Sequence, residues 1–121
     1  MSDFVNFELA QKLKEKGLNV PFYFYYRTDD KSLRHANVTN PLIYCDKIDD
    51  EVVIAPTISQ VLKWLREEKG IHVCIALGEF SDWMYDVSRI DGNMFCKAED
   101  DFKSYEQAAL AGIEYAIDNL I

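Results

Sequence analysis

Cysteine, histidine and carboxylate are the residue types in this chain that do chemistry, and their spacing decides how much. Cys45, Cys74 and Cys96 are widely separated, and only His35 and His72 stand beside them as further soft ligands. A tetrahedral zinc site would need four of these five to converge without any short ligand pair of the CxxC kind. The sequence therefore predicts no metal and no cofactor, and three reduced thiols of the sort a cytoplasmic protein carries. Cys74 follows His72 by two residues, so on a strand the pair shares one face about 7 Å apart, beyond a hydrogen bond. No nucleophile motif surrounds either residue. A small thiol-dependent enzyme using Cys74 and His72 is thus the alternative reading, and no catalytic residue is assigned. Asp49, Asp50 and Glu51, and again Glu99, Asp100 and Asp101, group carboxylates beside Lys47, Lys97 and Lys103. Such runs are solvated loops in this reading, and they lack the carboxylate ladder of a calcium loop. There is no glycine-rich phosphate loop, no HExxH and no GxSxG.

Aromatic residues are the larger surplus. Phe22 and Phe24 alternate with Tyr23 and Tyr25, so both faces of that strand carry rings. Trp83 and Tyr85 lie on a second strand that would extend the same surface. Tyrosine and tryptophan suit interfaces because each joins a large apolar area to a polar tip. Tyr23, Tyr25, Trp83 and Tyr85 are therefore the candidate binding residues, unless a third layer or the segment 32–51 buries both sets of rings.

The elements that must position these residues are legible from caps and periodicity. Thr57-Ile58-Ser59-Gln60 and Ser104-Tyr105-Glu106-Gln107 both read as capping boxes in front of an amphipathic run. They predict helices over 58–69 and from Tyr105 to the end, the latter with Ala109, Ile113, Ala116, Ile117 and Leu120 on its core face. A further helix is expected from Asn6 to Lys16, capped by Asn6 and stopped at Gly17. Phe22–Arg27 is a strand by propensity, followed by a polar turn at Thr28–Lys31. Shorter strands are expected at Leu42–Cys45 and Val52–Ile54. Ile71–Leu77 alternates cleanly, with Ile71, Val73, Ile75 and Leu77 on one face. Trp83–Ile90 is the next strand, and Asp91-Gly92 signals a hairpin returning through Asn93–Cys96. Lys14–Val20 echoes Glu67–Val73, each a helix stop running into a strand, which reads as shared stop chemistry rather than duplication.

Length and charge set the outer bounds. At 121 residues the chain suits a single domain over 1–121, with 49% hydrophobic and 28% charged residues. The hairpin signals favour an antiparallel sheet of four or five strands with three helices, an α+β fold in the order α-β-β-α-β-β(-β)-α. A net charge of −8 repels nucleic acid and anionic membranes, and no window is apolar enough to span a bilayer. The first residues have neither a basic n-region nor an apolar h-region, so no secretory signal is expected. A DNA mimic would need its acids on one face, and the interspersed Lys47, Lys63, Arg66, Lys69, Lys97 and Lys103 break any such stripe.

Three phrases carry a resemblance. Leu9 to Gly17, Ala55-Pro56-Thr57 through Trp64-Leu65-Arg66-Glu67 to Gly70-Ile71-His72-Val73, and Tyr105-Glu106 through Ala108 to Gly112-Ile113 are similar to small hypothetical proteins of prophages and mobile elements of gut anaerobes. The resemblance covers the three helices and the strand after the second, and fades over residues 28–54 and 78–103. It implies a genomic setting and no catalytic residues. Together these observations predict a non-enzymatic accessory protein that works by binding a protein partner or by self-association.

Overall fold

The computed structural model describes residues 4–35, 52–78, 81–90 and 94–121. The chain divides into two units, Met1–Thr57 and Ile58–Ile121. In the first, helix α1 (Phe7–Glu15) begins where Asn6 Oδ1 accepts the Leu9 N–H at 2.8 Å. It ends in a Schellman motif. Leu18 N–H reaches back to Leu13 O at 3.0 Å and Gly17 N–H to Lys14 O at 3.1 Å, with Gly17 at φ +85°. The buried stripe is Phe7, Leu9, Ala10 and Leu13. Strands β1 (Phe24–Arg27), β2 (Leu33–His35) and β3 (Val52–Ile54) form an antiparallel sheet in the order β2-β1-β3. Tyr26, at the middle of that sheet, meets Phe7 edge-on at 5.8 Å and donates its hydroxyl to Val5 O at 2.6 Å. Burial and the Glu8 carboxylate both push the Tyr26 phenol up. The β1–β2 turn is held by short polar contacts: Arg27 pairs with Asp29 at 3.0 Å, and Asp30 accepts from the Ser32 hydroxyl at 2.6 Å.

The second unit carries α2 (Ile58–Glu68), β4 (Ile71–Leu77), β5 (Trp83–Arg89), β6 (Met94–Phe102) and α3 (Tyr105–Leu120). Its strands form an antiparallel meander, β4-β5-β6. Cross-strand partners share a face, so Val73–Val87–Lys97 and Ile75–Tyr85–Glu99 are rows on one side. Both helices pack on the sheet, α3 across β4 and β5, and α2 against β4 and α3. Val73, Tyr85 and Val87 are buried there. The cap of α3 is as expected in kind: Ser104 Oγ accepts the Gln107 N–H at 3.1 Å. The reciprocal bond differs by one residue, because Gln107 Oε1 accepts from Lys103 N–H.

Several expectations are corrected. The strands do not form one sheet of four or five; they form two separate sheets of three, and the order is α-β-β-β-α-β-β-β-α. The addition is β2, three exposed residues that carry no alternation and form a strand only through pairing with β1. The loop expected at Glu99–Asp101 lies inside β6, which runs on as far as Phe102. Two register shifts make this possible. Cys96 is an extra residue between the pairs Val87↔Lys97 and Ser88↔Phe95, and Met84 faces both Asp100 and Asp101. Asp101 takes φ +73° at that second bulge. The strand expected at Leu42–Cys45, the acidic Asp49–Glu51 and the Asp91-Gly92 turn lie outside the described residues. Gly17 and Gly70 both hold positive φ, the stop chemistry behind the internal echo. β4 follows Gly70 at once, whereas β1 starts only at Phe24.

Helix α3 comes close to the sheet at Gly112. A Cβ there would stand 2.8 Å from Val73 Cγ1 and 3.1 Å from the Tyr85 ring. Alanine for glycine inside an exposed helix ordinarily gains about 1 kcal/mol. Here the added carbon must displace two packed side chains, a cost of about 1–3 kcal/mol. Gly112→Ala is expected to lower the urea midpoint of unfolding, and an unchanged or raised midpoint would show that the helix can lift away without penalty.

Candidate binding surface

The four predicted ring residues separate by sheet. Tyr23 and Tyr25 belong to the first unit, Trp83 and Tyr85 to the second. Tyr23 is 40% exposed and stacks on His35, ring centroids 6.3 Å apart and nearly parallel. His35 also takes the edge of Phe24 at 4.9 Å. Tyr25 is half-buried. Tyr85 is a core residue, 2% exposed, and offers no ring to a partner. Its place beneath α3 follows from period-two alternation with the buried Val87. The phenol stays satisfied because it donates to Glu99 Oε2 at 3.0 Å, across the strand pair β5–β6.

Trp83 is the predicted residue that reaches an apolar surface. It pairs with Leu77 on β4 and with Phe102 on β6, so the three side chains form one row across the end of the sheet. The first residue of α3 completes the group, Tyr105 meeting the Trp83 indole at right angles, 5.6 Å between centroids. Phe102 also touches the Tyr85 ring at 5.8 Å, which ties the surface row to the core. Leu77 is 60% and Tyr105 38% exposed, while Trp83 and Phe102 are half-buried. The row thus presents apolar edges on a rigid base. Leu77, Phe102 and Tyr105 are not among the binding residues expected from the sequence, although Leu77 is expected on that face of β4. The signal available was the strand pairing itself: the seven-residue run on β4 and the capped start of α3 put them level with Trp83. Neighbouring charge is mostly negative, from Asp82, Glu99, Asp100, Asp101 and Glu106, with Lys103 among them.

His72 and Cys74 occupy the other face of the same sheet. Their cross-strand partners are Ser88 and Asp86, so four reactive residue types share that face. His72 is exposed and Cys74 half-buried. Among the described residues no group of three or more His, Cys, Asp or Glu is placed to hold a metal ion. In the first unit a shallow groove of about 360 Å³ is lined by Gln11, Lys14, Glu15, Thr28 and Val53. Its Lys14 Nζ donates to the Val52 carbonyl at 3.1 Å, so the ammonium is engaged by the backbone. No helix among the described residues is long and apolar enough to cross a membrane. No protein-family model matches the chain, and neither a curated protein nor a solved structure does.

Tyr85 supplies a titration to check this geometry. Burial first, then the Glu99 carboxylate, push its phenol from 10.0 up to about 12. Between those two values the folded chain holds a proton that the unfolded chain has lost. The stabilisation is therefore complete below pH 10 and disappears as pH rises towards about 12. Alkaline stability curves should fall less steeply for Tyr85→Phe than for wild type, with the remaining slope owed in part to Tyr26. Equal slopes would mean that the phenol is not held as described.

Proposed function

We propose that this protein works by holding a protein partner on the apolar row Leu77–Trp83–Phe102 with Tyr105, and that it does no covalent chemistry there. The observation that carries the reading is the exposure of Leu77 and Tyr105 on either side of a half-buried tryptophan, all fixed to a packed sheet. Exposed apolar groups on a rigid base lose little entropy when covered. Aromatic anchors of this type dominate binding energies. The surrounding carboxylates favour a partner segment that is apolar in its middle and basic at its flanks, and they raise the rate of encounter more than the final affinity. Tyr23, stacked on His35, offers a smaller second ring on the first unit. The setting implied by the sequence resemblance, an accessory protein of a mobile element, is compatible with such a role.

The thiol-enzyme reading has less support. His72 and Cys74 share a face, but the face is part of a sheet surface on which His72 is exposed, and a nucleophile needs a base in hydrogen-bond contact and a third group to orient it. Neither contact joins these residues among those described.

Selection of binders from a random peptide library tests the proposal. A Trp64→Phe background leaves Trp83 as the single indole. Selected peptides should be basic and apolar, and should shift Trp83 emission. Tyr105→Ser and Leu77→Ser should each weaken them by roughly tenfold, the effect of losing one well-packed anchor. Peptides that bind equally well to both variants would place the binding surface elsewhere.

A further inference from the structure

The second sheet exposes apolar side chains at both of its ends, and the charges around them differ in sign. Of the seven large apolar residues that stand exposed among those described, five lie at these two ends. Leu77 and Tyr105 belong to the row already described. Ile90, Met94 and Phe95 lie at the opposite end, where β5 stops and β6 begins, and each is more than half exposed. The two groups are joined by β5, with Trp83 as its first residue and Arg89 as its last. Steps of about 3.3 Å per residue put the ends roughly 20 Å apart. Neither group can cover the other within one chain.

Register fixes how the second group is arranged. Met94 pairs with Arg89 and Lys97 with Val87, so both stand on the helix-bearing face, while Phe95 pairs with Ser88 and stands on the other. Ile90 follows Arg89 and falls on the same side as Phe95 by alternation. This end of the sheet is thus apolar on both faces. Residues 87–90 and 94–98 hold two charged side chains, Arg89 and Lys97, and no carboxylate; Asp91 lies outside the described residues. Lys97 is exposed, and Arg89 is half-buried with one guanidinium nitrogen donating to Leu120 O at 3.0 Å. In a chain of net charge −8, an apolar patch with basic neighbours runs against the general balance. It has the composition that the acidic surroundings of the Leu77–Trp83 row favour in a partner.

We infer that the partner held on the row is a second copy of this chain, whose β5–β6 end seats its apolar groups there with Lys97 towards the surrounding carboxylates. The inference rests on the reading of the row as a binding surface and names its occupant. Two different patches meet in such a contact, so it is heterologous. Each added copy leaves one row and one β5–β6 end free, and the assembly grows past two chains unless a ring closes. Opposite charge at the rim steers the approach, and the apolar centre holds it.

Mixing two differently broken chains tests this. Tyr105→Ser spoils the row and keeps the β5–β6 end, and Phe95→Ser does the reverse at an exposed residue. In sedimentation velocity the mean mass of wild type should rise past two chains with concentration. Each variant alone should self-associate roughly tenfold more weakly or worse, the effect of losing one anchor. Mixed in equal amounts, the two should form one-to-one pairs and nothing longer, because one intact row then meets one intact end. Lys97→Glu should replace Phe95→Ser in the mixture with the same result, and it serves if circular dichroism shows Phe95→Ser to be unfolded. Wild type that stays monomeric at millimolar concentration overturns the inference, as does a mixture that pairs no better than its components. Basic peptides that still shift Trp83 emission in that event would leave the row as a binding surface, so the two readings fail separately.

Discussion

Helix α3 lies close to its sheet at a position, 112, that has no side chain. The backbone of Gly112 sits against Val73 and Tyr85, closer than any residue with a Cβ could come. That closeness seals Ala108, Ala109, Ile113, Ala116 and Ile117 from water and sets where the Tyr85 ring rests. The ring in turn sets Phe102, and Phe102 lies beside Trp83. The exposed row is thus an extension of the core. Its rigidity comes from packing, at densities that leave little room for a side chain to move. A glycine within a helix costs helical propensity, and here the cost is offset by a contact that no larger residue permits.

Two caps, two helix stops and one alternating run are the local signals that the fold follows. Asn6 and Ser104 cap as their side chains dictate, Gly17 and Gly70 stop helices at positive φ, and Ile71–Leu77 is a strand at the expected residues. What period-two alternation does not carry is which strands become neighbours. β2 has no apolar alternation and forms through backbone pairing with β1, so a reading based on side chains passes over it. The same limit explains the single sheet that the hairpin signals suggested. Acidic Glu99–Asp101 reads as a loop because charge runs favour solvent; an edge strand satisfies that preference while still pairing on its other side.

The site was half legible. Trp83 and Tyr85 alternate with Met84, and one could infer from this that they share a face. Whether that face was open depended on the helix covering it, and α3 covers Tyr85 while leaving part of Trp83 bare. Tyr105 joins the surface because the cap at Ser104 starts the helix beside the indole, a long-range fact that no local motif encodes. His72 and Cys74 do share a face, as two-residue spacing requires, together with Ser88 and Asp86. Shared orientation alone supplies no activated thiol.

The irregular places in β6 have a consequence for how the chain tolerates change. Side chains along a strand alternate, so each unpaired residue resets which ones look inward from that point onward. Cys96 performs that reset between Phe95, which belongs with Ser88, and Lys97, which belongs with Val87. Removing Cys96 would close the bulge with Phe95 still opposite Ser88 and Lys97 still opposite Val87, so a residue can be lost at the bulge without moving Glu99 from the buried phenol. Counting, as much as chemistry, fits this segment to its neighbours, and the bulge is the point at which a change in that count is absorbed.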